Sequence, residues 1–342
     1  MASIVGGFDT GLADSSLFLL NRNDRTRTGV EGHEDEYYVN VSNGNLLIRH
    51  ADAFLPSQGE DTSVLRTYNS RGSWNGNVGQ GWSINTMILE LSQITNNQIT
   101  LVSPDSSRYL FKADASGVFR SVDGAGAYET ITQSTGNPKT FTLVRSDQTR
   151  LTFDGNGDII QSQDTNGNLI TYVRKAGKLT QVKDDTGHVT NYIYGGGGNL
   201  QQITDETGAV LVNYSFAQNL LGSVTDRAGH VTRFLYNSDG SLFRITLPQA
   251  GTEETRQLFF KWTLDTTDTT GKTRTLSELI DAEGNRTTFK YAFNRNNFSQ
   301  YVGGTTWMVN ALGVNRTESN DAQYVQWRLD NGYYQLWDQA RY

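Results

Sequence analysis

The sequence predicts an all-β protein built as one continuous antiparallel sheet of β-hairpins. Two observations lead to this prediction. A phrase of Asp, two residues and Gly, followed by a pair of aromatic residues, recurs every 20 or 21 residues along the middle of the chain. The composition agrees, because 35 Gly against 4 Pro, 11% aromatic residues and no sustained helical periodicity are typical of many short strands joined by turns.

Each copy of the phrase begins with a reverse turn. Asp at the first position of a turn can bond the backbone two residues on, and Gly three residues later adopts the positive φ that ends such a turn. The steps between four successive Asp positions are 20, 21 and 21 residues, and the Gly positions step by the same amounts. The predicted turn residues are Asp164, Gly167, Asp184, Gly187, Asp205, Gly208, Asp226, Gly229, Asp281 and Gly284.

A strand with aromatic residues two apart follows each turn. Residues two apart lie on one face of a strand, and polar residues between them can face water. A single hairpin is marginal in water, so neighbouring hairpins must pair edge to edge. We expect the rings to pack on the inner face rather than to form an outward platform for sugars. The predicted aromatic residues are Tyr172, Tyr192, Tyr194, Tyr214, Phe216, Phe234, Tyr236, Phe289 and Tyr291.

Some segments depart from the regular phrase. Leu179 and Val182 are an odd number of residues apart, so we expect a bulge or turn between them that brings both to the inner face. The phrases 105–108 and 147–150 look like degenerate return turns in which Arg stands where later copies have Gly. Residues 249–276 interrupt the pattern, and we expect a longer hairpin there with a protruding polar tip at 265–275.

The repeated phrase resembles the YD repeat of the RHS family, which includes bacterial RHS proteins, the C components of Tc toxins and animal teneurins. The stretches 39–46, 52–56, 66–70 and 79–82 look like the segment that opens the repeat region in large bacterial members. The resemblance covers residues 37 to 291. It implies a sheet that curves into part of a shell or spiral. It also implies enclosure of a toxin or other cargo, or, for some members, a place on the cell surface as an adhesin.

The predicted organisation is one array without linkers. We expect an N-terminal lead-in or plug at 1–36, an opening segment with degenerate repeats at 37–153 and a YD-repeat array at 154–248. Residues 249–342 should hold the insertion hairpin, a further repeat and C-terminal strands. Hydrophobic residues make up 36% of the chain, which is below the globular norm. This favours a thin wall that is wet on both faces, with little of it deeply buried.

Charge and cysteine content exclude several functions. The net charge of −7, without a Lys/Arg cluster, argues against nucleic-acid binding. The absence of Cys excludes disulfides, thiolate metal sites and a Cys nucleophile. We see neither a membrane span nor a signal peptide. The family resemblance nevertheless implies a secreted or cell-surface protein, which either leaves the cell without a cleaved leader or is represented here by an excised piece.

Candidate catalytic and metal sites are weak. Residues 154–158 resemble the first half of a Ca²⁺ loop, but Ile159 and Thr165 occupy positions that need Gly and a carboxylate. A repeat turn is the favoured interpretation. His188 and His230 occupy one repeat position, whereas His33 and His50 lie beside acids without a serine in a nucleophile-elbow sequence. We therefore predict no catalytic residue, no metal site and no cofactor.

Two functions remain open at this point. The first is a non-catalytic shell module that encapsulates or presents a cargo, in toxin delivery or interbacterial competition. The alternative is an extended cell-surface adhesin or glycan-binding module, with Trp307, Trp327 and Trp337 as candidates for a binding surface or an interface. The expected partners are a protein cargo, or further repeats that pair with the open edges of the first and last strands.

Overall fold

The computed structural model shows a protein made almost entirely of β-strands. It describes residues 17–19, 36–40, 43–55, 62–72, 78–84, 87–122, 128–248, 256–266, 273–295, 301–309, 324–330 and 333–337, with the backbone alone for 17–19 and from 292 onwards. The strands are β1 (Leu17–Leu19), β2 (Glu36–Asn40), β3 (Asn45–Leu55), β4 (Thr62–Asn69), β5 (Trp82–Ile84), β6 (Ile88–Glu90), β7 (Gln98–Val102), β8 (Arg108–Ala113), β9 (Phe119–Ser121), β10 (Thr130–Gln133), β11 (Phe141–Val144), β12 (Arg150–Phe153), β13 (Ile159–Gln163), β14 (Leu169–Lys175), β15 (Lys178–Asp184), β16 (Val189–Tyr194), β17 (Leu200–Thr204), β18 (Val210–Ala217), β19 (Leu220–Asp226), β20 (Val231–Tyr236), β21 (Leu242–Thr246), β22 (Gln257–Leu264), β23 (Arg274–Ile280), β24 (Arg286–Arg295), β25 (Tyr301–Val309), β26 (Tyr324–Asp330) and β27 (Tyr333–Trp337).

The strands form two sheets. The opening sheet contains β1 to β5 in sequence order, and each strand is antiparallel to the next. The repeat sheet begins at β6, and each strand again pairs antiparallel with its successor along the chain. The predicted continuous antiparallel sheet of hairpins is confirmed. The two sheets divide between Ile84 and Ile88, within the region 37–153 that the sequence analysis treats as one opening segment.

The turn at Asp205 shows how one hairpin closes. The backbone N–H of Asp205 donates to the carbonyl of Ala209 (3.0 Å), and the N–H of Gly208 donates back to the carbonyl of Asp205 (3.1 Å). The carboxylate Oδ1 of Asp205 accepts from the backbone N–H groups of Thr207 and Ala209. Gly208 has φ +84°, which completes a type I turn followed by a left-handed residue. The Gly residues at the same place in the other predicted turns also have positive φ: Gly167, Gly187, Gly229 and Gly284.

The degenerate turns differ from the prediction. In the 105–108 and 147–150 phrases, Arg was expected at the Gly position. The left-handed residues are instead Ser106 (φ +65°) and Gln148 (φ +71°), while Arg108 and Arg150 begin the next strands. The expectation was wrong because these turns start two residues earlier, at Ser103 and Arg145; Asp therefore lies within the turn instead of opening it.

A β-bulge recurs in the repeats. Between β14 and β15, Val173 pairs with Gln181 and Arg174 pairs with Leu179, so Thr180 is the extra residue. Leu179 and Val182 are both buried as a result, which confirms the bulge inferred from their odd spacing. The extra residues at the corresponding places in later hairpins are Gln201, Gly222, Phe243 and Ser277.

The first strands of the repeat sheet curl back on themselves. The N–H of Leu89 in β6 donates to the carbonyl of Gly157 (2.7 Å), and Ile88 bridges Asp158. Gly157 has φ +89°, and a Cβ there would lie 2.0 Å from the Leu89 carbonyl oxygen. This contact covers part of the edge of β6, which the sequence analysis expected to be open. The curl encloses a core of its own: Leu89, Ile99, Leu101, Phe111, Phe119, Ile131, Phe141, Leu143, Leu151, Phe153 and Ile159.

The expectation of a thin wall with little deep burial was wrong. Large side chains such as Trp82, Tyr37 and Phe260 are at most 1% exposed. A wall that is wet on both faces could not bury them. The opening sheet covers one face of β14 to β24 and forms a shared core with it, while the outward residues of each strand keep the overall composition polar.

The interrupted segment forms the hairpin of β22 and β23, as expected. Leu258 and Phe260 are buried on one face, and Trp262 packs on the same core. The two ends of the predicted polar tip do not protrude, because Asp265 and Thr275 are almost fully buried. The middle of that tip, at 267–272, lies outside the described residues.

Candidate functional site

The inner face of the repeat sheet holds the repeat aromatics. The first ring after each of four turns is buried, and the remaining five rings are half-buried against the same core. None of these nine rings forms an outward platform. The buried rings are Tyr192, Tyr214, Phe234 and Phe289, and the half-buried rings are Tyr172, Tyr194, Phe216, Tyr236 and Tyr291.

A buried ion pair lies between the opening sheet and the repeat sheet. Arg66 in β4 donates from Nε to Oδ2 (2.9 Å) and from Nη2 to Oδ1 (2.9 Å) of Asp52 in β3. The Asp52 side chain is 0% exposed and the Arg66 side chain is 3% exposed. The two parallel hydrogen bonds fix the orientation of both side chains. His50 lies at the margin of this pair, with Nε2 3.5 Å from Oδ1 of Asp52.

Residues of the repeat sheet complete this arrangement. The hydroxyl of Tyr214 in β18 donates to Oδ2 of Asp52 (2.7 Å). The Arg66 guanidinium lies 4.7 Å from the centre of the Trp82 ring and 5.3 Å from the centre of the Phe234 ring. A buried charge is costly unless it is paired and hydrogen-bonded, so these partners offset the cost of burying the two side chains. We call Asp52, Arg66, Trp82, Tyr214 and Phe234 the buried joint.

Trp82 makes a second polar link beside the buried joint. Its indole N–H donates to the hydroxyl of Tyr236 (2.9 Å), and its ring packs edge-on against Phe234 with 5.0 Å between centroids. Burial raises the pKa of the Tyr236 hydroxyl well above its ordinary value. The phenol is therefore neutral at physiological pH, so the link between Trp82 and Tyr236 adds no charge to the core.

Two backbone contacts hold the turns of the opening sheet against the repeats. The N–H of Gln80 donates to the carbonyl of Asn219 (2.9 Å), and the N–H of Leu276 donates to the carbonyl of Gly44 (2.8 Å). A Cβ on Gly44 would lie 2.6 Å from the Cβ of Thr275. Gly44 belongs to the phrase 39–46, so its place in that phrase has a steric explanation.

The far face of the opening sheet is covered at one end. The side-chain amide of Asn69 donates to the carbonyl of Asp105 (2.9 Å), and the hydroxyl of Ser83 donates to the carbonyl of Pro104. These carbonyls belong to the turn between β7 and β8. At this end the opening sheet therefore lies between two parts of the repeat sheet, whereas Arg49 and Phe54 on the same far face are exposed.

The repeat turns also contain the two histidines that the sequence places in one repeat position. Nδ1 of His188 lies 2.8 Å from Oδ2 of Asp184, and Nδ1 of His230 lies 2.9 Å from Oδ2 of Asp226. In another repeat the amide of Asn168 donates to the corresponding oxygen of Asp164 (2.7 Å). The hydrogen bond that Asp184 accepts from His188 raises the pKa of His188. These contacts give both histidines a structural role in the turn.

No metal centre is evident in the part of the chain that the structure describes, where no three His, Asp or Glu side chains converge to hold an ion. The suggested Ca²⁺ half-loop is a repeat turn, because Oδ1 of Asp154 accepts from the N–H groups of Asn156 and Asp158. His33 lies outside the described residues, as do the side chains of Trp307, Trp327 and Trp337.

Sequence reasoning missed the buried joint. Asp52 and Arg66 fall in the opening phrases, but nothing local pairs them with Tyr214, which is 162 residues from Asp52. One signal was available. Arg66 and Tyr68 are two residues apart in a strand and therefore share a face, so an inward tyrosine implied an inward arginine in need of a buried partner.

Comparison with protein families agrees with this geometry. A model described as "RHS Repeat" matches residues 175–210, and a model described as "Domain of unknown function (DUF6531)" matches residues 36–111. The chain therefore contains an RHS repeat. The repeat match falls on the hairpins β15 to β18, and the other match covers the opening sheet from β2 onwards together with β6 to β8.

Similar curated proteins are far longer than this RHS-repeat chain. The tRNA nuclease WapA of Bacillus subtilis (strain 168) is 27% identical over 156 residues, which are 46% of this chain and 6% of the relative. The tRNA3(Ser)-specific nuclease WapA of Bacillus spizizenii matches to the same extent. The chain therefore spans a small part of these relatives.

Solved structures resemble the RHS-repeat chain only loosely. A crystal structure of TcdB2-TccC3 without its hypervariable C-terminal region has a TM-score of 0.31 at 12% identity and covers 85% of this chain and 18% of that one. A porin-like protein from Bacteroides uniformis has a TM-score of 0.21 at 12% identity, covering 74% of this chain and 92% of that one. Among the residues described for the RHS-repeat chain, none form a helix of the length and apolar character needed to cross a bilayer.

Proposed function

We propose that the chain is a non-catalytic shell module of an RHS-repeat protein, which encloses or presents a protein cargo for delivery outside the cell. The observation that supports this role is the core that the opening sheet shares with the repeat sheet. Eleven strands, β14 to β24, would span roughly 50 Å if flat, at about 4.8 Å per strand. Inner residues of these strands nevertheless share one core with a much narrower sheet. The repeats must curve around what they cover.

In this proposal the opening sheet fills the interior at the start of the shell. At the buried joint the opening sheet packs directly against the repeats, because the side chains of Asp52 and Arg66 are almost fully buried. A cargo would then lie against later repeats, which extend the wall one hairpin at a time by edge pairing. Each hairpin needs only its neighbours, so the same rules can build a chamber of any length.

As part of this proposal, the names of the relatives indicate what kind of cargo the shell would hold. The WapA relatives are named as tRNA nucleases, and a nuclease is harmful to the cell that makes it. A wall that keeps such a cargo apart until delivery would serve toxin release or competition between bacteria. The proposal places no nuclease residue in this chain.

Protection of a neighbouring polypeptide from protease tests the proposed shell role. We would produce the polypeptide encoded immediately after this chain, alone and together with the chain, and digest both samples with trypsin. A cargo held by the shell should resist cleavage, and Tyr214→Phe should reduce that resistance by loosening the buried joint. Arg233→Asn, on the outer face, is the matched control and should protect as well as the unaltered chain. Equal cleavage of the polypeptide with and without the chain would contradict the proposal.

A further inference from the structure

The outer face of the repeat sheet has a cavity at the place where the repeat pattern breaks. It has a volume of about 380 Å³ and lies beside the turn at His230 and the end of β21; Arg233, Thr246 and Pro248 also line it. A volume of this size falls within the range of small-molecule sites. Leu247 donates its N–H to the carbonyl of Arg256 (2.9 Å), so a longer connection replaces the Asp-x-x-Gly turn that the array would place there.

Arg233 differs from the residues that hold the same position in earlier repeats. Those residues are Asn191 and Asn213, and each accepts a hydrogen bond of 2.8 Å from a glutamine on the preceding strand. The residue across from Arg233 is Ser223, and its hydroxyl is hydrogen-bonded to that of Ser215 (2.7 Å). The cross-strand partner seen in the earlier repeats is therefore missing here.

Arg233 has no counterion within the part of the chain that the structure describes. Among the described residues, its side chain makes no hydrogen bond or ion pair, although the protein has 36 acidic residues. It lies on the face opposite Phe234 and directly across from Thr246. A guanidinium presents paired N–H donors that match carboxylate and phosphate oxygens.

His230 adds a second polar group with a fixed orientation. The contact between its Nδ1 and Asp226 Oδ2 (2.9 Å) holds the ring in place and leaves Nε2 as the nitrogen available to a ligand. His188 occupies the same position two repeats earlier, but the residue that corresponds to Arg233 there is Asn191. The structure thus contains its own comparison site, with the same histidine and turn but without the arginine.

We propose that this cavity binds a small oxyanion, either a phosphate or a carboxylate group, with Arg233 as the principal ligand and His230 and Thr246 at its sides. The site does not depend on the proposed shell role, because it lies on the outer face, away from the opening sheet. A phosphate ester and an acidic sugar both carry the required group, and the experiment separates these two sources.

Histidine NMR on the full chain tests the proposal. With ¹³C-labelled histidine, the four imidazole rings give four Hε1–Cε1 signals, and His230→Asn and His188→Asn assign two of them. We would titrate inorganic phosphate and, separately, glucuronate at constant ionic strength. The His230 signal should shift in a saturable way with at least one probe, while the His188 signal stays in place. The stronger of the two probes identifies the source of the oxyanion.

Arg233→Asn is the decisive variant because it installs the residue that earlier repeats use. It should weaken the apparent affinity at least tenfold without changing the other histidine signals, which report an intact fold. Saturable shifts that are equal at His188 and His230, or no shift at His230 with either probe, would overturn the proposal. A response that survives unchanged in Arg233→Asn would overturn it as well.

Discussion

The hydroxyl of Tyr214 donates a 2.7 Å hydrogen bond to Oδ2 of Asp52, a residue 162 positions earlier in the chain. Tyr214 follows a repeat turn and Asp52 lies in the opening sheet, so this bond is one of those that join the two sheets. We expect Tyr214→Phe to destabilise the protein by about 1–3 kcal/mol, because a buried carboxylate oxygen loses a donor. Urea unfolding measures the change. Tyr192→Phe, at a similarly buried ring with no such link to Asp52, is the control and should cost clearly less.

The Asp52–Arg66 pair should behave as a unit. Arg66→Met leaves a buried carboxylate without its bidentate partner, and we expect a loss of about 3–5 kcal/mol. The double variant Asp52→Asn/Arg66→Met should lose less than the sum of the two single changes, because neither charge remains unpaired. A double-mutant cycle by urea unfolding gives the coupling, and strictly additive losses would show that the pair contributes no mutual stabilisation.

Two turn glycines should differ in their sensitivity to alanine. Gly208 has φ +84° with open space around a Cβ. Gly208→Ala should therefore cost only the strain of a left-handed conformation in a residue with a Cβ, roughly 1–2 kcal/mol. Gly157→Ala adds a collision with the Leu89 carbonyl oxygen, and it should cost more and release β6. Thermal unfolding compares the two variants. Equal losses would mean that the contact between β6 and the 154–158 turn is not part of the fold in solution.

The turn at His188 should contribute a pH-dependent stabilisation. Its pKa is raised by Asp184, so this contribution is complete below the unfolded-state pKa of about 6.5 and is lost as pH rises through the higher folded-state value. The melting temperature of the unaltered chain should therefore exceed that of His188→Asn by more at pH 6 than at pH 9.

A gain-of-function control is available for the same turn. Asn285 donates to Oδ2 of Asp281 (2.9 Å) as His188 contacts Asp184, so Asn285→His should introduce a similar pH dependence at a second position. If the difference in melting temperature between the unaltered chain and His188→Asn is the same at both pH values, protonation of His188 does not stabilise the fold. That result would contradict the electrostatic explanation.

Local rules made much of the fold predictable from the sequence. The turn at Asp205 and Gly208 depends on residues three positions apart, and the bulge near Leu179 follows from the odd spacing between Leu179 and Val182. The prediction for the degenerate turns was wrong because Ser106 and Gln148 adopt positive φ. Neither residue type indicates such a conformation in a sequence. The buried joint was invisible because the pairing of Asp52 with Tyr214 depends on how a curved sheet closes over another sheet, and not on neighbouring residues.

A cross-linking measurement tests most directly whether the repeat sheet encloses the opening sheet. The chain has no cysteine, so Gln80→Cys/Asn219→Cys places two thiols where the backbones of the two sheets meet at 2.9 Å. A short bismaleimide should join them within one chain, whereas Gln80→Cys/Thr207→Cys, with the second thiol at the opposite end of the strands, should stay unlinked. Failure of the first pair, or equal linking of both pairs, would contradict the enclosed arrangement.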